Sequence, residues 1–115
     1  MRISRAVPIL TVDDLRSSVA AYLSVFGCEV IMDHGWIVTL GSSPSGPQFS
    51  LMEKDLTAPT NPVASIEVED VDQAQHAVVA AGLEIVHPLT EEEWGVRRFF
   101  FRDHGGNVIN VLTHG

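Results

Sequence analysis

The sequence predicts an α+β fold built from two copies of one βαβββ unit. Three observations carry this reading. Each half opens with a short strand that leads through an acidic residue into an amphipathic helix. Each helix stops at a glycine and is followed by apolar runs of strand length bounded by turn residues. The halves also match in order. Val12-Asp13-Asp14-Leu15 corresponds to Val68-Glu69-Asp70-Val71 at a shift of 56, and Gly27-Cys28-Glu29-Val30 to Gly82-Leu83-Glu84-Ile85 at a shift of 55. Phe49-Ser50-Leu51-Met52 corresponds to Ile109-Asn110-Val111-Leu112 at a shift of 60. Three matches in one order point to an internal duplication. A solenoid needs more repeats.

Val7–Val12 is the first expected strand, with Pro8 favouring a strand start or an edge. Asp14 caps a helix whose apolar stripe is Leu15, Val19, Tyr22, Leu23 and Phe26, and Gly27 ends it. Cys28–Ile31 and Trp36–Leu40 read as strands joined around Asp33-His34-Gly35. Ser42–Pro47 is a loop by composition, Gln48–Glu53 a strand, and Asp55–Pro62 a linker. Val63–Val68 then restarts the pattern. Asp70, with Gln73 three residues on, opens the second helix. Its stripe is Val71, Ala74, Ala77, Val78 and Ala81, and Gly82 ends it. Leu83–Val86, Val96–Arg102 and Val108–Leu112 complete the set. The last two form a hairpin around Arg102–Asn107, where Gly105 and Gly106 are free to take positive φ. Asn110 stands alone as a polar side chain in the closing apolar strand. It either makes a buried structural hydrogen bond or faces a cavity.

Composition narrows the function. The formal charge of -8 disfavours nucleic acid, which needs clustered Lys and Arg. It keeps the surface soluble and suits neutral or cationic ligands. Arg97, Arg98 and Arg102 share one segment, where they frame an anion or balance Glu91-Glu92-Glu93. No apolar run approaches the roughly 20 residues of a membrane span. The start lacks the apolar stretch of a signal peptide. The single Cys28 excludes an internal disulfide and a Cys-rich zinc site. The expectation is a cytoplasmic protein.

Strand alternation assigns the faces. Leu10, Val12, Phe49, Leu51, Ile66, Val68, Ile109 and Val111 should face the helices. Val7, Ile9, Ser50, Met52, Val63, Ser65, Glu67 and Asn110 should then line the opposite face. A mostly apolar face with a few polar groups, curled by sheet twist, suits a small-molecule cavity. A dimer interface or a solvated surface is the plain alternative.

The duplicated βαβββ unit, the Val12-Asp13-Asp14-Leu15 entry, Trp94-Gly95-Val96-Arg97 before an aromatic strand and the closing Asp103-His104-Gly105-Gly106-Asn107 resemble the vicinal-oxygen-chelate superfamily. That group holds glyoxalase I, the bleomycin-resistance proteins and the extradiol dioxygenases. Its usual closing motif is Asp-Pro-Asp-Gly-Asn, from which this turn departs twice. The resemblance covers the chain from about residue 5 to 114. It implies one domain over 5–114, with module one at about 5–54 and module two at about 62–114. It further implies a curved mixed sheet around a cleft, helices on the outer face, and a homodimer.

Metalloenzymes of the superfamily hold a divalent ion with His, Glu or Gln from the first and last strands of each module. The corresponding positions here are Val7, Ser50, Val63 and Asn110. Two valines cannot coordinate, and Ser and Asn oxygens are weak, uncharged ligands. The metal chemistry is therefore expected to be absent, with no cofactor and no catalytic group. His34, His87 and His104 fall in expected turns, His76 on an exposed helix side, and none has a metal-binding spacing. His114 can approach the cleft, and Glu67 is the one carboxylate placed on its face. Cys28 reads as a buried, inert thiol. No Ser-His-Asp arrangement stands out, and Gly105-Gly106 is too short for a phosphate loop.

Trp36, Trp94 and Arg97 complete the expected ligand-binding cleft. Each aromatic either packs structurally or stacks on a flat or cationic ligand. Arg97 either pairs with an acid or meets an anion. The expected function is metal-free binding of a small organic ligand, cationic or aromatic, in a dimeric cleft, as in the bleomycin-resistance type. The alternative is a divalent-metal-dependent lyase, isomerase or dioxygenase of the same superfamily. A ligand-free regulatory dimer would instead have a filled cleft.

Overall fold

The computed structural model describes residues 1–54 and 60–114. Most of the expected linker lies outside them. Ten elements run β1 (Ile3–Thr11), α1 (Leu15–Phe26), β2 (Glu29–Asp33), β3 (Ile37–Gly41), β4 (Gln48–Met52), β5 (Ala64–Val68), α2 (Val71–Ala80), β6 (Glu84–Glu91), β7 (Val96–Arg102) and β8 (Val108–His114). This is the α+β, twice-βαβββ order read from the sequence. Two compact units divide the chain: Val7–Thr57, and Met1–Ala6 together with Ala58–Gly115. No helix of the described residues is long and apolar enough to cross a membrane.

In the first unit the strand order is β2-β3-β4-β1. β1 runs parallel to β4, with Ile9 opposite Ser50 and Thr11 opposite Met52. The β2–β3 and β3–β4 pairs are antiparallel. Asp14 opens α1 by accepting the Ser17 N–H at 3.1 Å and the Ser17 hydroxyl at 2.9 Å. Gly27 closes it in the left-handed region, φ 62°, and its N–H reaches the Leu23 carbonyl at 2.9 Å. An L side chain would be strained at that φ. Leu15 and Val19 bury against Val38, Leu40 and Leu51, with Val12 and Phe49 beside them. This is the helix-facing set expected from alternation. Leu10 has the same parity but remains exposed. β1 starts at Ile3, earlier than the expected Val7. Pro8, which has no N–H, falls just before Ile9, the first residue paired to β4.

The second unit repeats the plan with the order β5-β8-β7-β6. β5 and β8 are parallel, with Ser65 opposite Asn110 and Glu67 opposite Leu112. The β8–β7 and β7–β6 pairs are antiparallel. Asp70 caps α2 through the Gln73 N–H at 3.0 Å. Val71 and Ala74 bury against Val68, Phe99 and Val111, with Ile66, Phe101 and Ile109 around them. Phe99 and Phe101 therefore point to the helix and Phe100 points away. Three consecutive aromatics carry no alternation, so periodicity alone had left this open.

β6 differs most from expectation. It continues through Pro88 to Glu91, whereas the sequence suggested a turn after Val86. As the outermost strand of this unit it tolerates a residue without an N–H, and its register slips twice, between Ile85 and His87 and between His87 and Thr90. His87 is consequently a buried strand residue, not the surface turn residue its neighbours suggested.

Candidate functional site

The helix-free face of the first unit is apolar and internally satisfied. Val7, Ile9 and Met52 are buried there. Ser50, opposite Ile9 on one side and Thr39 on the other, is buried as well. Its hydroxyl and that of Thr39 form a 2.7 Å hydrogen bond. Trp36 sits just ahead of β3, and its carbonyl accepts the Glu53 N–H at 2.9 Å.

The helix-free face of the second unit is richer in polar groups. Three rows cross it. Phe100, Asn110 and Ser65 form one, Arg98, Leu112 and Glu67 the next, and Val96 and His114 the third. Val63 lies just before β5, exposed, with its N–H on the Val108 carbonyl at 2.9 Å. Glu67 and His114, separated by 47 positions, meet at 2.9 Å between Oε1 and Nδ1. A carboxylate only accepts, so in this contact the His114 Nδ1–H donates to Glu67.

Asn110 is 8 % exposed, and its Nδ2 donates to Ser65 Oγ at 3.0 Å. Its Oδ1 is buried and has no hydrogen-bond partner. Leaving such a carbonyl unpaired costs about 1–3 kcal/mol. Ser65 Oγ makes no other hydrogen bond among the described residues.

The register separates the two arginines. Arg97, opposite Thr113, lies on the helix-bearing face and pairs with Asp72 of α2. The guanidinium holds the Asp72 carboxyl below its ordinary value, chiefly through that hydrogen bond. Arg97 is thus turned away from Asn110 and Ser65. Arg98 takes the inner position, which sequence reasoning missed because Phe99-Phe100-Phe101 hid the parity. It is buried, with Nε 3.0 Å from Glu92 Oε1. Its guanidinium lies 4.9 Å from the ring centres of both Trp94 and Phe100. Trp94 therefore stacks on Arg98, within the turn between β6 and β7. His87 completes the cluster. Its ring is 4.8 Å from that of Phe100, its Nδ1 is 2.8 Å from the Pro88 carbonyl, and its Nε2 is 4.0 Å from Glu92 Oε1.

The four positions that would bear a metal are Val7, Ser50, Val63 and Asn110. Two carry no donor atom. Ser50 and Asn110 offer only uncharged oxygens, that of Ser50 already hydrogen-bonded to Thr39. Among the described residues no group of three or more His, Cys, Asp or Glu could hold an ion. This donor set does not fit a divalent metal.

Residues 2–111 match the glyoxalase/bleomycin resistance protein/dioxygenase superfamily. The chain belongs to that superfamily. Among solved structures it is similar to one described as an NAD-dependent benzaldehyde dehydrogenase from Legionella pneumophila, with TM-score 0.81 and 15 % identity over 96 % of this chain and 100 % of that one. A superfamily member from Vibrio splendidus 12B01 gives 0.71 and 21 %, over 97 % and 99 %. Methylmalonyl-CoA epimerase from Mycobacterium tuberculosis gives 0.77 and 18 %, over 98 % and 89 %. Likeness at such identity establishes the shared fold, and chemistry has to be argued from the site. No curated protein matches the chain.

Proposed function

We propose that this superfamily member is a metal-free binding protein for a small organic ligand of aromatic or cationic character. One observation carries the reading: the positions that the family resemblance assigns to metal ligands hold Val7, Ser50, Val63 and Asn110, two without a donor atom and two with uncharged, weakly ligating oxygens. Function by sequestration needs a shaped face and affinity, without a metal or a nucleophile. The net charge of -8 would favour approach of a cationic ligand. The reading includes a single domain over residues 5–114, a homodimer and a cytoplasmic location.

The metal-dependent lyase, isomerase or dioxygenase alternative has one observation in its favour, the contact between Glu67 and His114. Those are two donors, and a catalytic metal usually takes at least three from the protein. The deciding experiment offers the untagged protein Ni, Zn, Mn, Co and Fe(II) separately, desalts it and measures metal per chain. Background levels for every ion are expected. Near one equivalent of any of them would overturn the metal-free reading. A melting-temperature screen of cationic and aromatic compounds then tests binding itself, and sedimentation tests the dimer.

A further inference from the structure

The carboxyl end of α1 carries an apolar surface that the fold does not require. Phe26 closes the apolar stripe of the helix, and its spacing alone would bury it. Instead it is 66 % exposed, and Val25 beside it is 72 % exposed. No other aromatic side chain among the described residues is exposed. Tyr22 and Phe49, both half-buried, lie beneath Phe26. Ring centres are 6.1 Å apart for Tyr22 and Phe26, 5.2 Å for Tyr22 and Phe49, and 6.5 Å for Phe26 and Phe49. Val25, three residues from Tyr22, adjoins it on the helix surface. A lone exposed apolar side chain is ordinary, but three rings in mutual contact beside an exposed valine form a continuous patch.

The internal duplication supplies the comparison. At the shift of 55 that matches Gly27 to Gly82, the residues corresponding to Tyr22, Val25 and Phe26 are Ala77, Ala80 and Ala81. The same helix end is thus built in the second unit from alanines, which bury their helix without a patch. The large side chains of the first unit serve something other than closure of the helix.

The charges around the patch have one sign. The carboxyl end of α1 is the negative end of its dipole, and no basic residue lies in its last turn. Glu29, exposed, follows three residues after Phe26. From Ser17 to Met52 the chain contains no Lys and no Arg. Arg16 stands at the opposite end of the helix, where it donates to Asp33 at 3.0 Å. A second copy docked here about a two-fold axis would bring two negative helix ends and two Glu29 carboxylates together. A partner that carries cations meets complementary charge instead.

We propose that Phe26, with Val25, Tyr22 and Phe49, anchors a segment of a partner protein that places a large apolar side chain next to Lys or Arg. The apolar side chain covers Phe26 and Val25, and the cation lies against Glu29 and the helix end. Aromatic anchors inside a polar rim are the usual composition of a binding hot spot. The surface lies on the helix-bearing side of the first unit, so this role is separate from ligand binding on a helix-free face.

The test titrates the ¹⁵N-labelled protein with a short amphipathic leucine–lysine peptide and with its leucine–glutamate counterpart, each up to millimolar concentration. The lysine peptide is expected to shift the backbone amides of Val25, Phe26, Gly27 and Glu29 first, and the glutamate peptide to bind at least tenfold more weakly. Val25→Ala with Phe26→Ala, which copies the second unit, should keep a folded spectrum and lower affinity for the lysine peptide at least tenfold. Glu29→Gln should narrow the difference between the peptides. Val79→Ser, at an exposed apolar position on α2, should change nothing. Shifts spread over the acidic surface, affinity unchanged in the double alanine variant, equal binding of the two peptides, or binding of neither would each overturn the proposal. Sedimentation of the parent and the double alanine variant separates the remaining occupant. A self-associated parent that becomes monomeric on that substitution would assign the patch to a second copy and overturn the proposal as well.

Discussion

Arg98→Met is the sharpest test of how the second unit's helix-free face is held together. Methionine nearly matches the arginine stem in length but carries no charge. The substitution leaves the Glu92 carboxylate, 12 % exposed, without the guanidinium 3.0 Å away. His87 Nε2 lies 4.0 Å from the same carboxylate. Removing one partner of a buried ion pair typically costs 3–5 kcal/mol. The slight exposure of Glu92 puts the expectation near the lower limit, about 3 kcal/mol. The contacts to Trp94 and Phe100 at 4.9 Å are part of that loss, since Met retains the packing but not the cation–π attraction. For a chain of this size about 3 kcal/mol corresponds to roughly 12 °C in Tm. The companion variant Glu92→Leu with Arg98→Met removes both charges. It should return to within about 1 kcal/mol of the parent, because no buried charge is left alone. Urea unfolding followed by far-ultraviolet circular dichroism gives both numbers. Trp94 fluorescence, isolated by Trp36→Phe, should shift to the red in the single variant as the turn between β6 and β7 loosens. A single variant within 1 kcal/mol of the parent would refute the reasoning. So would a double variant no more stable than the single one.

Other outcomes follow from the same physics. Replacing the pair together, Asn110→Leu with Ser65→Ala, removes the unpartnered buried carbonyl and leaves neither member of the hydrogen bond behind, so it should stabilise the protein by about 1 kcal/mol, seen as a Tm rise of roughly 4 °C; a Tm lower than the parent's would refute the reasoning. Phe99→Ala empties a fully buried position in the α2 core and should cost about 4 kcal/mol in urea titration. Asp14, Asp33, Asp72 and Asp103 all have carboxyls held below the ordinary 3.8, by hydrogen bonds from Ser17, Arg16, Arg97 and Asn107 respectively. Because the folded values are lowered, their contribution is complete above pH 3.8 and is lost as the pH falls through them. Unfolding free energy should therefore be flat in this respect above about pH 5 and decline below about pH 4, and Asp72→Asn with Asp103→Asn should shallow that decline.

Sequence reasoning read the architecture well because its signals are local. A capping aspartate, an apolar stripe and a left-handed glycine occupy consecutive positions, and Asp14, Val19 and Gly27 behave as such residues should. The face assignment of the terminal strands also held, since Leu51 and Val111 alternate cleanly with Ser50 and Asn110. The second unit's polar cluster was less legible. Its members come from β5, β6, β7 and β8, and alternation was masked at the decisive point by three phenylalanines. That gave prominence to Arg97 when Arg98 holds the inner position. His87 was hidden by Pro88, a residue that breaks interior strands but is accommodated on an outer one. The meeting of Glu67 with His114 depends on the parallel pairing of β5 with β8, which sequence spacing alone does not supply.

Strand β1 has a consequence for how the chain is made. Its first residues, Met1–Ala6, group with the second unit, and Arg2 receives the Glu69 N–H on its carbonyl at 3.3 Å while its guanidinium meets the Glu69 carboxylate at 3.4 Å. The residues after Ala6 group with the first. A segment synthesised before the first unit thus waits for one synthesised after it. The first unit can close its own sheet during elongation, but the second acquires its amino-terminal piece only across a long loop, whose closure is entropically costly and slow. Cutting the gene between the repeats would not yield two independent halves, because the later one would emerge without the six residues that complete it. The duplication is legible as two units in sequence, yet the second is finished only by residues that precede the first.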